Sequence, residues 1–252
     1  GCAYLVCTTA LDDIVFIMRK EQFGIGTFVH VVNRGAHKIN IVRTDADRWR
    51  FLKLLRYLND VSVPRNWERD ISPAHIRDNF ARPEQWGEAE PYVSILAHCL
   101  KDNHFHLLLL EQREGGISKF MHRVSRSMAA NFNAKYKGSG ALFQGPYRAR
   151  IVDNDRHLQY LSVYINIKNV FEAYPGGLKA AANNFNDAYD WAIQYPFSST
   201  ADFAGERKSS LIDHSARQSL FATPSDFRVA AEEIMTAKFD IDSTLQDLVL
   251  DE

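Results

Sequence analysis

The ten residues Lys101-Asp102-Asn103-His104-Phe105-His106-Leu107-Leu108-Leu109-Leu110 constrain this chain more than any other stretch. A turn-forming Lys-Asp-Asn runs straight into an apolar segment of strand length. Successive side chains of a strand point to opposite faces, so His104 and His106 share one face and Phe105 takes the other. A second apolar run, Tyr92–Leu100, ends just before the turn, which makes a β-hairpin the economical connection. Two imidazoles on one sheet face are either strand histidines satisfied by hydrogen bonds or a pair of ligands for a divalent ion. The pair alone does not choose between them.

The rest of the chain supplies the elements such a hairpin needs. Thr27–Gly35 is β-branched and closed by glycine, as a strand would be. A helix capped by Thr44 or Asp45 follows, with Trp49, Phe51, Leu52, Leu55 and Leu58 as its apolar stripe. Residues 61–90, with Pro64, Pro73 and Pro83, form a long excursion. After Gly115-Gly116 a helix capped by Ser118 carries Phe120, Met121, Val124, Met128 and Phe132 on one side. Gly138-Ser139-Gly140 ends it, Ala141–Val152 is extended, and a helix over about 155–171 begins at Asn154 or Asp155. This order predicts an α+β fold, a ferredoxin-like antiparallel sheet with helices packed on one face. Residues 1–18 are expected to be poorly integrated, 19–175 to form the main domain, and 176–252 to form a mainly helical C-terminal extension.

A net charge of −1 over 252 residues hides an uneven distribution. From Gly115 to Val152 there is no Asp or Glu, while Lys119, Arg123, Arg126, Lys135, Lys137, Arg148 and Arg150 all fall there. That is a basic patch masked by acidic flanks, and it points to an anionic ligand. Cys2, Cys7 and Cys99 are too few for a disulfide framework, so a reducing cytoplasm is expected. Gly1–Met18 has no basic start and is interrupted by Asp12 and Asp13, unlike a signal peptide or a membrane span.

With these elements placed, the chain resembles the REP-associated tyrosine transposases, a branch of the single-tyrosine HUH (His–hydrophobic–His), or IS200-like, transposases. The words that carry the resemblance are Phe28–Gly35, Ala97–Leu108, Ile117–Met121, Phe132-Asn133, Gly140–Gly145, Tyr160–Asn166 and Tyr195–Ser199. They occur in the family's order from about residue 27 to residue 200. The resemblance implies a metal-dependent DNA strand transferase that cleaves and rejoins single-stranded or hairpin DNA through a 5′-phosphotyrosine. By position Tyr164 is the nucleophile, with Tyr160 one turn away as the alternate. His104 and His106 hold Mg²⁺ or Mn²⁺. DNA contacts are expected from Arg34, Arg123, Arg126, Lys135, Lys137, Arg148, Arg150 and Lys168, with Phe143 and Tyr147 as stacking platforms. The protein would act as a monomer or homodimer, with no membrane partner.

The chain departs from the family at one telling position. An amide ligand is usual four residues after the nucleophile, but Lys168 stands there, and a protonated lysine has no lone pair for a metal. Asn169 is adjacent, yet five residues along an uninterrupted α-helix it is turned off Tyr164's face. The third ligand is then His30, His98 or water, or Lys168 contacts the scissile phosphate directly. An arginine common after Gln144-Gly145 is replaced by Pro146. The alternative is a catalytically decayed protein that binds DNA hairpins without cutting them. A phosphodiesterase with water as nucleophile is a third possibility.

Overall fold

In the computed structural model, which describes residues 23–77, 79–236 and 250, four strands form one sheet. They are β1 (Phe28–Arg34), β2 (Val93–Leu100), β3 (His104–Glu111) and β4 (Arg148–Val152). The order is β2-β3-β1-β4, with every neighbouring pair antiparallel, the ferredoxin-like arrangement expected from the order of elements. The expectation for residues 1–18 lies outside the described residues.

Two helices cover one face. Helix α1 (Asp45–Tyr57) starts in a capping box, the Thr44 hydroxyl accepting from the Asp47 N–H while the Asp47 carboxylate accepts from the Thr44 N–H. Helix α2 (Gly116–Tyr136) is not capped by Ser118, which lies inside it. The buried Glu111 carboxylate at the end of β3 does this instead, accepting from Gly116 and Ile117 N–H at 2.8 and 2.9 Å. Gly116 is required there, because a Cβ would sit 2.4 Å from the Tyr92 carbonyl oxygen. The two helices bury Val29, Val31, Phe105, Leu107 and Leu109.

The other face is covered too, which the expectation of helices on one face did not include. Leu96, Cys99 and Leu108 share a second apolar cluster with the helix that follows β4 and with C-terminal residues such as Tyr189, Phe203 and Phe227. The run of four leucines in β3 is apolar on both sides, so each side needs a cover.

A bulge in β2 sorts its side chains. Pairing with β3 shifts register between Ile95 and Ala97, and the extra residue reverses the alternation. Val93 and Ile95 face α1 and α2, whereas Leu96, Ala97 and Cys99 face the second layer. His98, opposite Leu107, therefore lies on the α1/α2 side, away from His104 and His106.

The helix expected over 155–171 is interrupted at its centre. Helix α3 (Asp155–Val163), capped by the Asn154 side chain, runs into a π turn, Tyr164–Lys168, before helical geometry resumes at Asn169–Phe171. The Asn169 N–H donates to the Tyr164 carbonyl, five residues back. Nothing local in Tyr-Ile-Asn-Ile-Lys demands this. The turn is held from outside: the Thr200 hydroxyl donates to the Asn166 carbonyl and the Ser199 hydroxyl to Asn166 Oδ1, both at 2.6 Å. The same segment runs along the edge of β2, where Leu100 N–H donates to Phe197 O and Ser199 N–H to His98 O.

Candidate active site

Both histidines of β3 are buried on the second-layer face, and the protein engages Nδ1 of each. His104 Nδ1 is 2.6 Å from Asn103 Oδ1. An amide oxygen only accepts, so His104 donates from Nδ1, and Nε2 is the ring nitrogen that would ligate an ion. His106 Nδ1 lies 3.1 Å from Nε2 of His30, which reaches it from the neighbouring strand. With His106 donating there, Nε2 is again the atom left to ligate. Burial first, then Lys101, Lys168 and Arg34, pushes the His106 imidazole down to about 3, with Glu172 opposing, so the ring is neutral at physiological pH. A neutral His106 beside a His104 that Asn103 orients suits a metal pair.

Tyr164 completes this face. Its ring stands edge-on to His106 at 5.8 Å between centroids and to His30 at 6.5 Å. Its hydroxyl accepts from Lys168 Nζ at 3.3 Å, and the ammonium lies 4.7 Å from the ring centroid. Lys168 pairs in turn with Glu172 at 2.8 Å, and Glu172 also binds Lys101. Burial raises the Glu172 carboxyl, but Lys101 and Lys168 outweigh it and hold the group below its usual range. Tyr160, the alternate nucleophile, stacks against Tyr164.

The basic residues divide between two faces. Arg34 pairs with His104, Arg150 with His30, and Arg148 with Val32, so all three share the face of the imidazole pair. An open groove beside them is lined by Val32, Asn33, Arg34, Gln144, Pro146 and Arg148. Arg123, Arg126, Lys135 and Lys137 instead belong to α2 and its C-terminus, in the layer across the sheet. Arg123 donates to the Asp60 carbonyl at 2.6 Å, and Lys135 binds Asp47 at 2.6 Å. Arg126 and Lys137 are exposed. Phe143 is no stacking platform, because it is buried edge-on against Phe105 in the core. Tyr147 packs partly buried, its hydroxyl 3.2 Å from that of Ser118.

The expected third ligands do not assemble. His98 faces the opposite layer, His30 is spent on His106, and among the described residues no group of three His, Cys, Asp or Glu is placed to hold a metal. Sequence reasoning missed the roles of Asn103, Glu172 and Ser199. The hairpin turn could have suggested Asn103, but the other two act only through contacts distant in sequence.

Fold and site thus define an α+β protein with a strand-borne imidazole pair, a helix tyrosine over it and a rim of arginines. Residues 83–168, the segment that holds His104, His106, Tyr164 and Lys168, match the family model described as "Transposase IS200 like". One solved structure similar to this chain is described as a REP-associated tyrosine transposase bound to a REP hairpin; identity is 14%, 79% of this chain and 94% of that chain are covered, and the TM-score is 0.43. No curated protein matches. Among the described residues no helix is long and apolar enough to cross a membrane.

Proposed function

We propose that this protein is a metal-dependent transposase acting in the cytoplasm on single-stranded DNA, at hairpin or palindromic elements. The observation that carries the reading is Tyr164 itself, its ring against His106 and its hydroxyl on the Lys168 ammonium. The Tyr164 oxygen forms a new bond to the scissile phosphorus, and the bond to the 3′ oxygen breaks. The phenolic proton leaves to solvent, and the departing 3′ oxygen takes up a proton. The phosphodiester energy stays in the 5′-phosphotyrosine, so rejoining needs no nucleotide. His104 and His106 would hold the metal through Nε2, and a bound Mg²⁺ or Mn²⁺ supplies Lewis-acid polarisation of the phosphate. Lys168 stabilises the phenolate, and Glu172 fixes Lys168. Arg34, Arg148 and Arg150 line the DNA path on this face. Arg126 and Lys137 offer exposed charge to a second DNA segment across the sheet, while Arg123 and Lys135 act mainly in holding α1 against α2.

The test is incubation with hairpin-tipped single-stranded oligonucleotides and Mg²⁺ or Mn²⁺, read on a denaturing protein gel. A shifted band that requires both the metal and Tyr164 is expected, and Tyr164→Phe should abolish it. Lys168 at the usual ligand position favours one second reading, a DNA-binding protein that has lost cleavage. That reading predicts retained binding with no covalent band under any ion.

A further inference from the structure

We propose that the π turn makes Asn169 the third metal ligand, joining His104 and His106 in place of Lys168. The inference rests on the metal-dependent reading above. Along an α-helix five residues turn through about 500°, which would leave Asn169 about 140° from Tyr164. The i→i+5 bond from Asn169 N–H to Tyr164 O replaces that geometry and carries Asn169 back beneath Tyr164. One residue inserted in the turn thus moves the amide from the fourth to the fifth position after the tyrosine.

The side chain fits the role. Asn169 is 1% exposed; its Nδ2 donates to the Tyr164 carbonyl at 3.2 Å, and Oδ1 has no hydrogen-bond partner among the described residues. A buried amide oxygen without a donor is costly to maintain, and a carbonyl oxygen is the kind of ligand that Mg²⁺ and Mn²⁺ take. The competitors are occupied. Lys168 is bound to Tyr164 and Glu172. The other amide of the turn, Asn166, spends Nδ2 on the Ser162 carbonyl and Oδ1 on Ser199.

The test is Mn²⁺ binding to the intact chain, by calorimetry and by the electron paramagnetic resonance of the bound ion. Asn169→Leu keeps a branched side chain of the same number of heavy atoms and removes the oxygen; Asn169→Asp keeps an oxygen and adds charge. Asn169→Leu should weaken Mn²⁺ at least about tenfold, while Asn169→Asp should bind more tightly than wild type and change the resonance. If Asn169→Leu binds like wild type while His106→Ala does not bind, the assignment of Asn169 is overturned and the metal-dependent reading stands. If wild type binds no Mn²⁺, or His106→Ala binds as well as wild type, the metal-dependent reading falls and takes the assignment with it. Should Asn169→Leu not fold, as judged by circular dichroism, Asn169→Asp decides: affinity and resonance unchanged from wild type would overturn the proposal.

Discussion

The Nζ of Lys168 lies 3.3 Å from the phenolic oxygen of Tyr164, one helical position before the buried amide of Asn169. A cation there favours the charged form of the nucleophile. Lys168→Met should therefore slow covalent adduct formation about 10- to 100-fold at pH 7 and much less at pH 9.5, where hydroxide replaces its help. An equal loss at both pH values would show that Lys168 acts on DNA binding instead.

His30 orients His106 from the adjacent strand. His30→Ala should lower Mn²⁺ affinity about 10- to 100-fold without unfolding the sheet, since such outer partners fix the tautomer and angle of a ligand. Unchanged affinity would remove His30 from the site.

The two faces of the sheet can be separated by salt. Replacing both Arg148 and Arg150 with Ala should flatten the dependence of log K for single-stranded DNA on log salt by roughly 1–1.5. Replacing Arg123 should instead lower the melting temperature, because its guanidinium holds the Asp60 carbonyl beyond the end of α1. The reverse pattern would place the DNA on α2.

Asp47 gives a pH dependence away from the site. Burial raises its carboxyl, but Lys135, Tyr136 and the N–H groups of Arg43 and Thr44 more than offset this and lower it well below 3.8. A group depressed in the folded state stabilises above its unfolded value and loses that contribution as pH falls. Stability should therefore decline as pH drops below about 4, and Asp47→Asn should be less stable at pH 7 by about 1–2 kcal/mol with a shallower acid limb. Urea melts at pH 7 and pH 3 measure both.

The π turn has its own stability test. Ser199→Ala leaves Asn166 Oδ1 buried without its donor and should cost about 1–3 kcal/mol. A melting temperature equal to wild type would mean that the turn holds without this brace.

What the sequence conveyed follows from how local each signal is. The hairpin, the shared face of His104 and His106 and the Thr44 cap rest on alternation and spacing within a few residues, and they were legible. The facing of His98 was not, because it depends on a register shift that appears only once β2 pairs with β3. Ser118 looked like a cap because the true cap, Glu111, acts from the end of a strand. The π turn was illegible for the same reason, since Ser199 and Thr200 lie more than thirty positions beyond it.

That turn also sets the phase of everything downstream. In a helix treated as a screw, one added residue advances the rest by about 100°. Val170 and Phe171 are fully buried in the second-layer cluster at the phase the inserted residue gives them. Deleting one residue between Tyr164 and Lys168 would rotate that end of the helix out of step with the C-terminal helices it packs against. A length change that shortens the chain by a single residue would thus be felt as a twist, at the nucleophile and at the far layer together.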